Sequence, residues 1–455
     1  MTGADGTDGG AVSRELARWA TEAGGSDIPP EVRREARRSL VNFFAAALGG
    51  CRDPAVEACL GVLTSFAGGG EARLIGRSEG VDGLTAAFVN AVSGNVFDFD
   101  DTHIPTVIHP TAPVLPALLA LASRRRVRGA ELVEAFVVGV EIECRLGNAV
   151  SPGHYRRGWH ITATCGVFGA AAAAGRLLGL DTRRMVWALG SASAQSCGLV
   201  ETLGSMAKSV GVGNSARNGL FAALLAERGV TGPDQPLEGS RGFMAVTADG
   251  CDPAVLTLGL GDSFELLRNT YKPYPCGVVL NPLIDAVLEL RARHDLNAGD
   301  VAAVAVTGHP LLRERTDRPA PASGREAQVS AQHSVAVALL HGAAGIAEFA
   351  DAAVVDPATL DLRGRVSVAD DPAMAAGAAR VVIRLRDGGS FEAEVSHARG
   401  SLERPLTDAE IAAKLAALAA HGCPGLDPAP LLQALNALED LDDVRDLVRL
   451  AAPPA

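Results

Sequence analysis

The apolar pattern of this 455-residue chain changes character once, near residue 265, and that break constrains the fold more than any other feature. Ahead of it, apolar residues recur at helical spacing. Residues 129–147 (GAELVEAFVVGVEIECRLG) keep that spacing throughout, with Glu141 and Arg145 four apart as a helix-supporting pair. Pro30 holds a first-turn position before EVRREARRSLVNFFAAALGG, and Gly49-Gly50 close that run. CGVFGAAAAAGRLLGLD and SARNGLFAALLAERG follow the same rule, with Gly229 as a stop. So much alanine and glycine predicts helices packed close together.

Beyond the break, KPYPCG is turn-rich and DVAAVAVTGHP alternates as a strand does. RVVIRLRDGGSFEAEV reads as two strands joined by a tight Asp387-Gly388-Gly389 turn. SAQHSVAVALLHGAAG between them is helical, and the helical pattern returns from about 405. The expected fold class is mainly α. A large all-helical domain spans 10–265, a smaller α+β domain spans 266–399, and residues 400–455 pack back onto the first. No repeat of solenoid period occurs.

A net charge of −12 argues against nucleic acid as partner, since that needs a basic footprint. An anionic substrate then requires Arg, Lys and His to cluster locally. No run of 18 apolar residues escapes interruption by charge, Gly or Pro, so no membrane-spanning helix is expected. The opening MTGADGTDGGAVSRE has no apolar signal core and reads as a polar, disordered tail, which points to a cytoplasmic protein. Eight scattered cysteines without a CxxC pair fit reduced thiols and argue against structural zinc.

Lysine occurs only three times, against 38 arginines. Arginine serves here wherever a positive charge merely solvates a surface, so each lysine is informative: lysine can give up its proton and arginine cannot. Lys414 lies in TDAEIAAKLAAL, a helix opened by the capping-box pair Thr407 and Glu410, and reads as a surface residue. Lys208 (GSMAKSVGVGN) and Lys272 (NTYKPYPCG) fall in loop-like segments. Two of the three tyrosines, Tyr271 and Tyr274, flank Lys272, and the third is Tyr155.

The segment NVFDFDDTHIPTVIHP gathers Asp98, Asp100, Asp101, His103 and His109 between two helices, the second starting near Thr111 and Pro113. A carboxylate could sit at such a helix start, and the histidines could exchange protons near neutral pH. The pattern lacks HExxH spacing and the EF-hand glycine and glutamate, so no metal is assigned. His160 follows Trp159 and precedes a helix with Thr162 or Thr164 as its cap. A lone histidine beside tryptophan is commonly a packed core residue. The glycines at 68–70 and 211–213 form no dinucleotide or phosphate-loop signature, so no nucleotide is assigned. No GxSxG elbow is present, and Cys276 reads as a buried spectator thiol.

Taken in order, DFDDT, HPTAPVLPALLALA, GWHITATCGVFGAAAAAGRLLGLD, the Lys208 segment with NSARNGLFAALLAERGVTGP, LEGSRGFM, YKPYPCG and LIDAVLEL resemble the MmgE/PrpD family over roughly residues 15–450. That family includes 2-methylcitrate dehydratase, cis-aconitate decarboxylase and iminodisuccinate epimerase. The resemblance implies a homodimer, a cofactor-free site, and a cleft between the helical domain and an α+β lid. It carries over Asp98, Thr102, His109, His160, Lys208 and Lys272 as catalytic residues, with Trp159 where the motif has Phe. His103, His333 and Tyr274 are the expected substrate-binding residues. Two departures matter. The cis-aconitate decarboxylase pattern has His where this chain has Gly277, and Tyr in the helix that here carries His333. Asn281 also stands where many members show His.

The expected reaction removes a proton from a carbon next to a carboxylate. The lysines and Thr102 would hold the developing charge, His109 or His160 would act as base, and Asp98 would orient a histidine. A dehydratase on a small hydroxy di- or tricarboxylate is the leading expectation, and an epimerase or racemase is the nearest alternative. A non-catalytic helical binding protein comes next. A pyridoxal-phosphate enzyme built on Lys272 is disfavoured, because no phosphate cup is visible.

Overall fold

The alanine-glycine run at 166–175 makes the centre of the helical part. The computed structural model describes residues 12–453, and in it this run lies in the Ile161–Leu178 helix, fully buried from Ile161 to Gly175. Its neighbours approach at backbone distance. A Cβ on Gly219, in the Ala207–Glu227 helix, would sit 2.6 Å from Val167 O, and one on Gly139, in the Gly129–Val150 helix, 2.7 Å from Gly169 O. Larger side chains there would force the three helices apart. The cap is His160 rather than Thr162 or Thr164, and the helix stops at Gly179 with φ 70°, a conformation that glycine adopts without penalty. This is the one helix among the described residues long and apolar enough to cross a bilayer, and it is 83% buried in the core.

The Gly83–Asn95, Thr111–Ala122 and Thr182–Ser193 helices complete the surroundings. The Pro30–Gly50 helix packs outside them and is covered by the Asp408–Gly422 helix from the far end of the chain. One continuous core accordingly joins residues from Ile28 to Tyr271 with residues from Leu406 to Ala451. Of the expected polar tail, residues 1–11 lie outside the described residues. Its last four belong instead to the Val12–Glu22 helix, whose Leu16, Ala17 and Ala20 are buried.

A second core takes residues from Tyr274 to Val395. Its four-stranded sheet has the order 366–370, 301–308, 379–385, 390–395. The first pair is parallel and the others antiparallel, with Gly388 (φ 95°) in the turn of the last hairpin. The Asn281–His294 and Ala331–His341 helices pack beside this sheet. The fold is thus a large helical domain with a smaller α+β domain. Arg325 and Gln328 are among the side chains that fasten the smaller part to the larger one. Arg325 pairs with Asp53 and donates to Val96 O (2.9 Å), and Gln328 donates to Phe97 O (3.1 Å).

Candidate active site

The Gly83–Asn95 helix, capped by the Asp82 carboxylate on Leu84 N and Thr85 N, delivers the chain into a tight turn. Asp98 in that turn has φ 50°, a left-handed conformation that costs a non-glycine residue about 1–3 kcal/mol. Next comes a three-residue strand, Asp101–His103, in antiparallel register with Asn269–Tyr271. Pairing Asp101 with Tyr271 brings Lys272 against Asp98 from a position 174 residues away. Lys208 arrives on the first turn of the Ala207–Glu227 helix.

The two ammonium groups share one carboxylate. Lys208 Nζ donates to Asp98 Oδ1 at 2.5 Å, and Lys272 Nζ lies 3.0 Å from both Asp98 Oδ2 and the Asp98 carbonyl. Burial by itself would raise the Asp98 carboxyl, but Lys208, Lys272 and His109 outweigh it and hold it well below the usual carboxylate range. Burial likewise opposes the Lys208 ammonium, and Asp98 and Asp100 more than compensate, so its affinity for the proton rises. Asp100 is also buried. Asn95 Nδ2 donates to its Oδ2 at 2.6 Å, and His109, Lys272 and Lys208 overcome desolvation to keep it ionised. Asp98, Asp100 and His109 present ligand atoms within 4.8 Å of one another, the spacing of a metal cluster. Two ammonium groups already neutralise Asp98, which leaves that set poorly suited to a cation.

His109 has a fixed tautomer. Its Nδ1 donates to the Asp101 carbonyl at 2.8 Å, with Asp100 Oδ1 3.0 Å away, leaving Nε2 as the atom that takes or gives a proton. That Nε2 faces Asp98 Oδ1 at 3.7 Å. His160 is different. Burial, aided by Lys208 and His109, lowers it to about 3, so it is neutral at pH 7. Thr102 Oγ1 is buried with no partner among the described residues.

These six side chains, from Asp98, Thr102, His109, His160, Lys208 and Lys272, line one cavity of about 460 Å3. Tyr155 and Gly277 also line it, and the smaller domain contributes Arg315 and Arg318. Arg315 lies over the Tyr155 ring at 4.8 Å. Sequence reasoning missed both arginines, although RERTDRP clusters positive charge in a turn-rich stretch. A larger cavity of about 620 Å3, bordered by Trp159, Gln235 and Arg241, lies elsewhere and gathers no comparable set of charges.

The three residues expected to bind substrate do not line the cavity. His103 is fully buried between Thr106 (2.7 Å) and Glu265 (2.8 Å), and it fastens the strand pair. Tyr274 donates to Asp285 at 2.6 Å within the smaller domain. His333 packs on Phe349 and donates through Nε2 to Glu348 O at 2.8 Å. Asn281 begins a helix and faces Cys276, whose thiol burial pushes up, as a spectator requires. Lys414 is the clearest correction. It is buried rather than on the surface, because the tail helix that carries it lies across the back of the site.

His333 yields a test of this placement. Burial lowers it to about 4, against about 6.5 in the unfolded chain. A depressed histidine contributes stability above pH 6.5 and loses it as pH falls toward 4, because the unfolded chain then binds more protons. The stability difference between wild type and His333→Asn is therefore expected to shrink by on the order of 2 kcal/mol from pH 7 to pH 4.5. Urea unfolding at the two pH values measures it. An unchanged difference would mean that His333 titrates alike in both states.

Buried paired charges, a tautomer-locked imidazole and a neutral one around a half-open cavity mark an enzyme site rather than a scaffold. The N-terminal domain of the MmgE/PrpD family matches residues 14–256 and its C-terminal domain matches residues 274–427. Cis-aconitate decarboxylase of Aspergillus terreus is 28% identical over 99% of this chain and 98% of its own length. The cis-aconitate decarboxylase-like protein oryM of Aspergillus oryzae is 29% identical over 99% of both, and human cis-aconitate decarboxylase is 29% identical over 81% of this chain and 79% of its own. The chain belongs to the MmgE/PrpD family.

Proposed function

We propose that this enzyme is a cofactor-independent lyase that removes water from a small hydroxy di- or tricarboxylate. The observation that carries the reading is the convergence of Lys208 and Lys272 on Asp98 at the cavity wall. A carbon acid next to a carboxylate gains charge as its proton leaves. Fixed, buried ammonium groups stabilise that charge, and Thr102 Oγ1 is free to join them. His109 Nε2 takes the carbon proton and hands it to the departing hydroxyl. One C–H and one C–O bond break, and one C=C bond and one water form. His160, neutral throughout, hydrogen-bonds the substrate without competing for the proton. Arg315 and Arg318 line the same cavity, beside Glu201 and Glu314, and offer a second carboxylate a partner, which supports a di- or tricarboxylate.

Decarboxylation is the second reading, favoured by the names of the relatives. Gly277 speaks for a substrate other than cis-aconitate. A Cβ there would meet nothing closer than 3.8 Å, so the cavity is open where the decarboxylase pattern has histidine. The homodimer and the cytoplasmic location belong to the same proposal. The eight free cysteines agree with a reducing compartment.

The test is incubation in D2O with hydroxy di- and tricarboxylates and with cis-aconitate, followed by proton NMR. New vinyl resonances from a hydroxy acid are the expected result. Release of CO2 from cis-aconitate would establish decarboxylation, and deuterium uptake without net loss would establish epimerisation. With no reaction and no thermal shift from any carboxylate, the chain would be a binding protein for something else.

A further inference from the structure

The active-site account leaves one of the three lysines without a role. Lys414 Nζ donates to Phe99 O at 2.6 Å, to Asn42 Oδ1 at 2.8 Å and to Lys272 O at 2.9 Å, and it sits 3.8 Å from the centre of the Phe99 ring. Three acceptors need three N–H groups. Only the ammonium form has them, since a neutral amine would turn its lone pair toward one of the oxygens. No carboxylate pairs with it among the described residues. Burial is the largest influence and outweighs Asp100 and Asp101, so with the Lys272 charge close by the proton of Lys414 is held well less tightly than in an ordinary lysine. A buried cation without a counter-ion is costly, so its presence calls for a function.

We infer that Lys414 is a positioning residue that sets the geometry of the Asp98–Lys272 contact from behind. The two backbone carbonyls it holds are the informative ones. Phe99 follows Asp98, whose left-handed backbone persists only where surrounding bonds over-determine it. Lys272 carries the ammonium that meets Asp98. One amine therefore ties together both chain segments that form the contact, which are otherwise joined by the short strand pair. The third acceptor, Asn42, lies on the Pro30–Gly50 helix, so the clamp is anchored in the main core. Lys414 does not itself line the cavity and acts only through Asp98 and Lys272. In this arrangement the C-terminal helix becomes part of the active-site framework, fixed in place by the Thr407–Glu410 capping box (2.7 and 3.2 Å).

The scarcity of lysine supplies the measurement. Selective 13Cε labelling gives three lysine signals, one for each residue, so the Lys272 signal can be followed with no substrate present. In Lys414→Met, which keeps the apolar stem, the Lys272 signal is expected to move, with a smaller change at Lys208. If Lys414→Met does not fold, Lys414→Arg retains the charge with the wrong fork, and the same displacement of Lys272 is expected. A folded variant whose Lys272 signal matches wild type in position would overturn the inference. The kinetic consequence rests on the lyase reading. With the substrate identified by the D2O assay, kcat is expected to fall about 10- to 100-fold, the cost of a misplacement near 1 Å, while KM changes less than about threefold. A displaced Lys272 signal in a protein with no activity on any carboxylate would uphold the positioning role and reject the lyase reading. Loss in KM alone would also overturn the inference, because it would place Lys414 in binding rather than in geometry.

Discussion

Lys272→Met is expected to lower kcat by about 10² or more, the scale of losing one preorganised electrostatic donor. Lys208→Met should do the same. The reason is the shared carboxylate. With both lysines present, Asp98 is held by an ammonium group on each oxygen. An arriving substrate carboxylate enters a site whose positive charge is already fixed in place. Removing Lys272 leaves Asp98 with one partner, turns its unpaired oxygen toward the substrate, and repels the charge that develops in the reaction. Arginine should not rescue the loss, because the planar guanidinium fork is bulkier and cannot bond the Asp98 carbonyl and carboxylate from the same point. The readout is single-turnover rate on the substrate identified in D2O, with circular dichroism showing that the fold persists. Turnover within about threefold of wild type would remove Lys272 from the mechanism.

The largest stability effect is expected at Arg145. The sequence presents Glu141 and Arg145 as an ordinary pair one helical turn apart, worth a few tenths of a kcal/mol on a surface. In the structure both are buried. Arg145 donates to Glu141 Oε1 at 2.7 Å, and its other nitrogens hold the carbonyls of Leu258 (2.8 Å) and Ser263 (2.9 Å). Glu141 Oε2 then accepts Glu265 N at 2.8 Å. The pair thereby anchors the segment that runs on to Lys272. Arg145→Met should cost about 3–5 kcal/mol, as removing one partner of a buried ion pair does. Burial raises Glu141 to about 7 even with Arg145 opposing it. Without Arg145 it rises further. A raised acid favours the folded state below its unfolded value and loses that contribution as pH climbs through its folded value. The variant should therefore lose most above pH 7. Urea unfolding at pH 6 and pH 8.5 checks both size and sign, and a loss under about 1 kcal/mol at both would contradict the anchoring role.

These two cases show what the sequence could reveal and where it stopped. Helical spacing and the alanine-glycine run were legible, because a buried helix repeats its apolar face and because close packing excludes large side chains. The strands at 301–308 and 379–395 were legible from alternation and the Gly388 turn. The 101–103 strand was not, since three residues carry no period. Scarcity singled out Lys208 and Lys272, and the motif order supplied Asp98, Thr102, His109 and His160. Lys414 was missed because its neighbours alternate as on a half-exposed helix, and nothing local records that another segment covers it. His103, Tyr274 and His333 are expected to bind substrate, and none of them lines the cavity. Each has an internal partner, Glu265, Asp285 or the Glu348 carbonyl, that only tertiary contact identifies.

The fastening of the smaller domain has a consequence of its own. Arg325 and Gln328 grip the carbonyls of Val96 and Phe97, the two links of chain immediately ahead of Asp98. A displacement of the smaller domain would pull on those links. The position of the smaller domain and the placement of the carboxylate shared by both amines are therefore linked through two consecutive peptide groups.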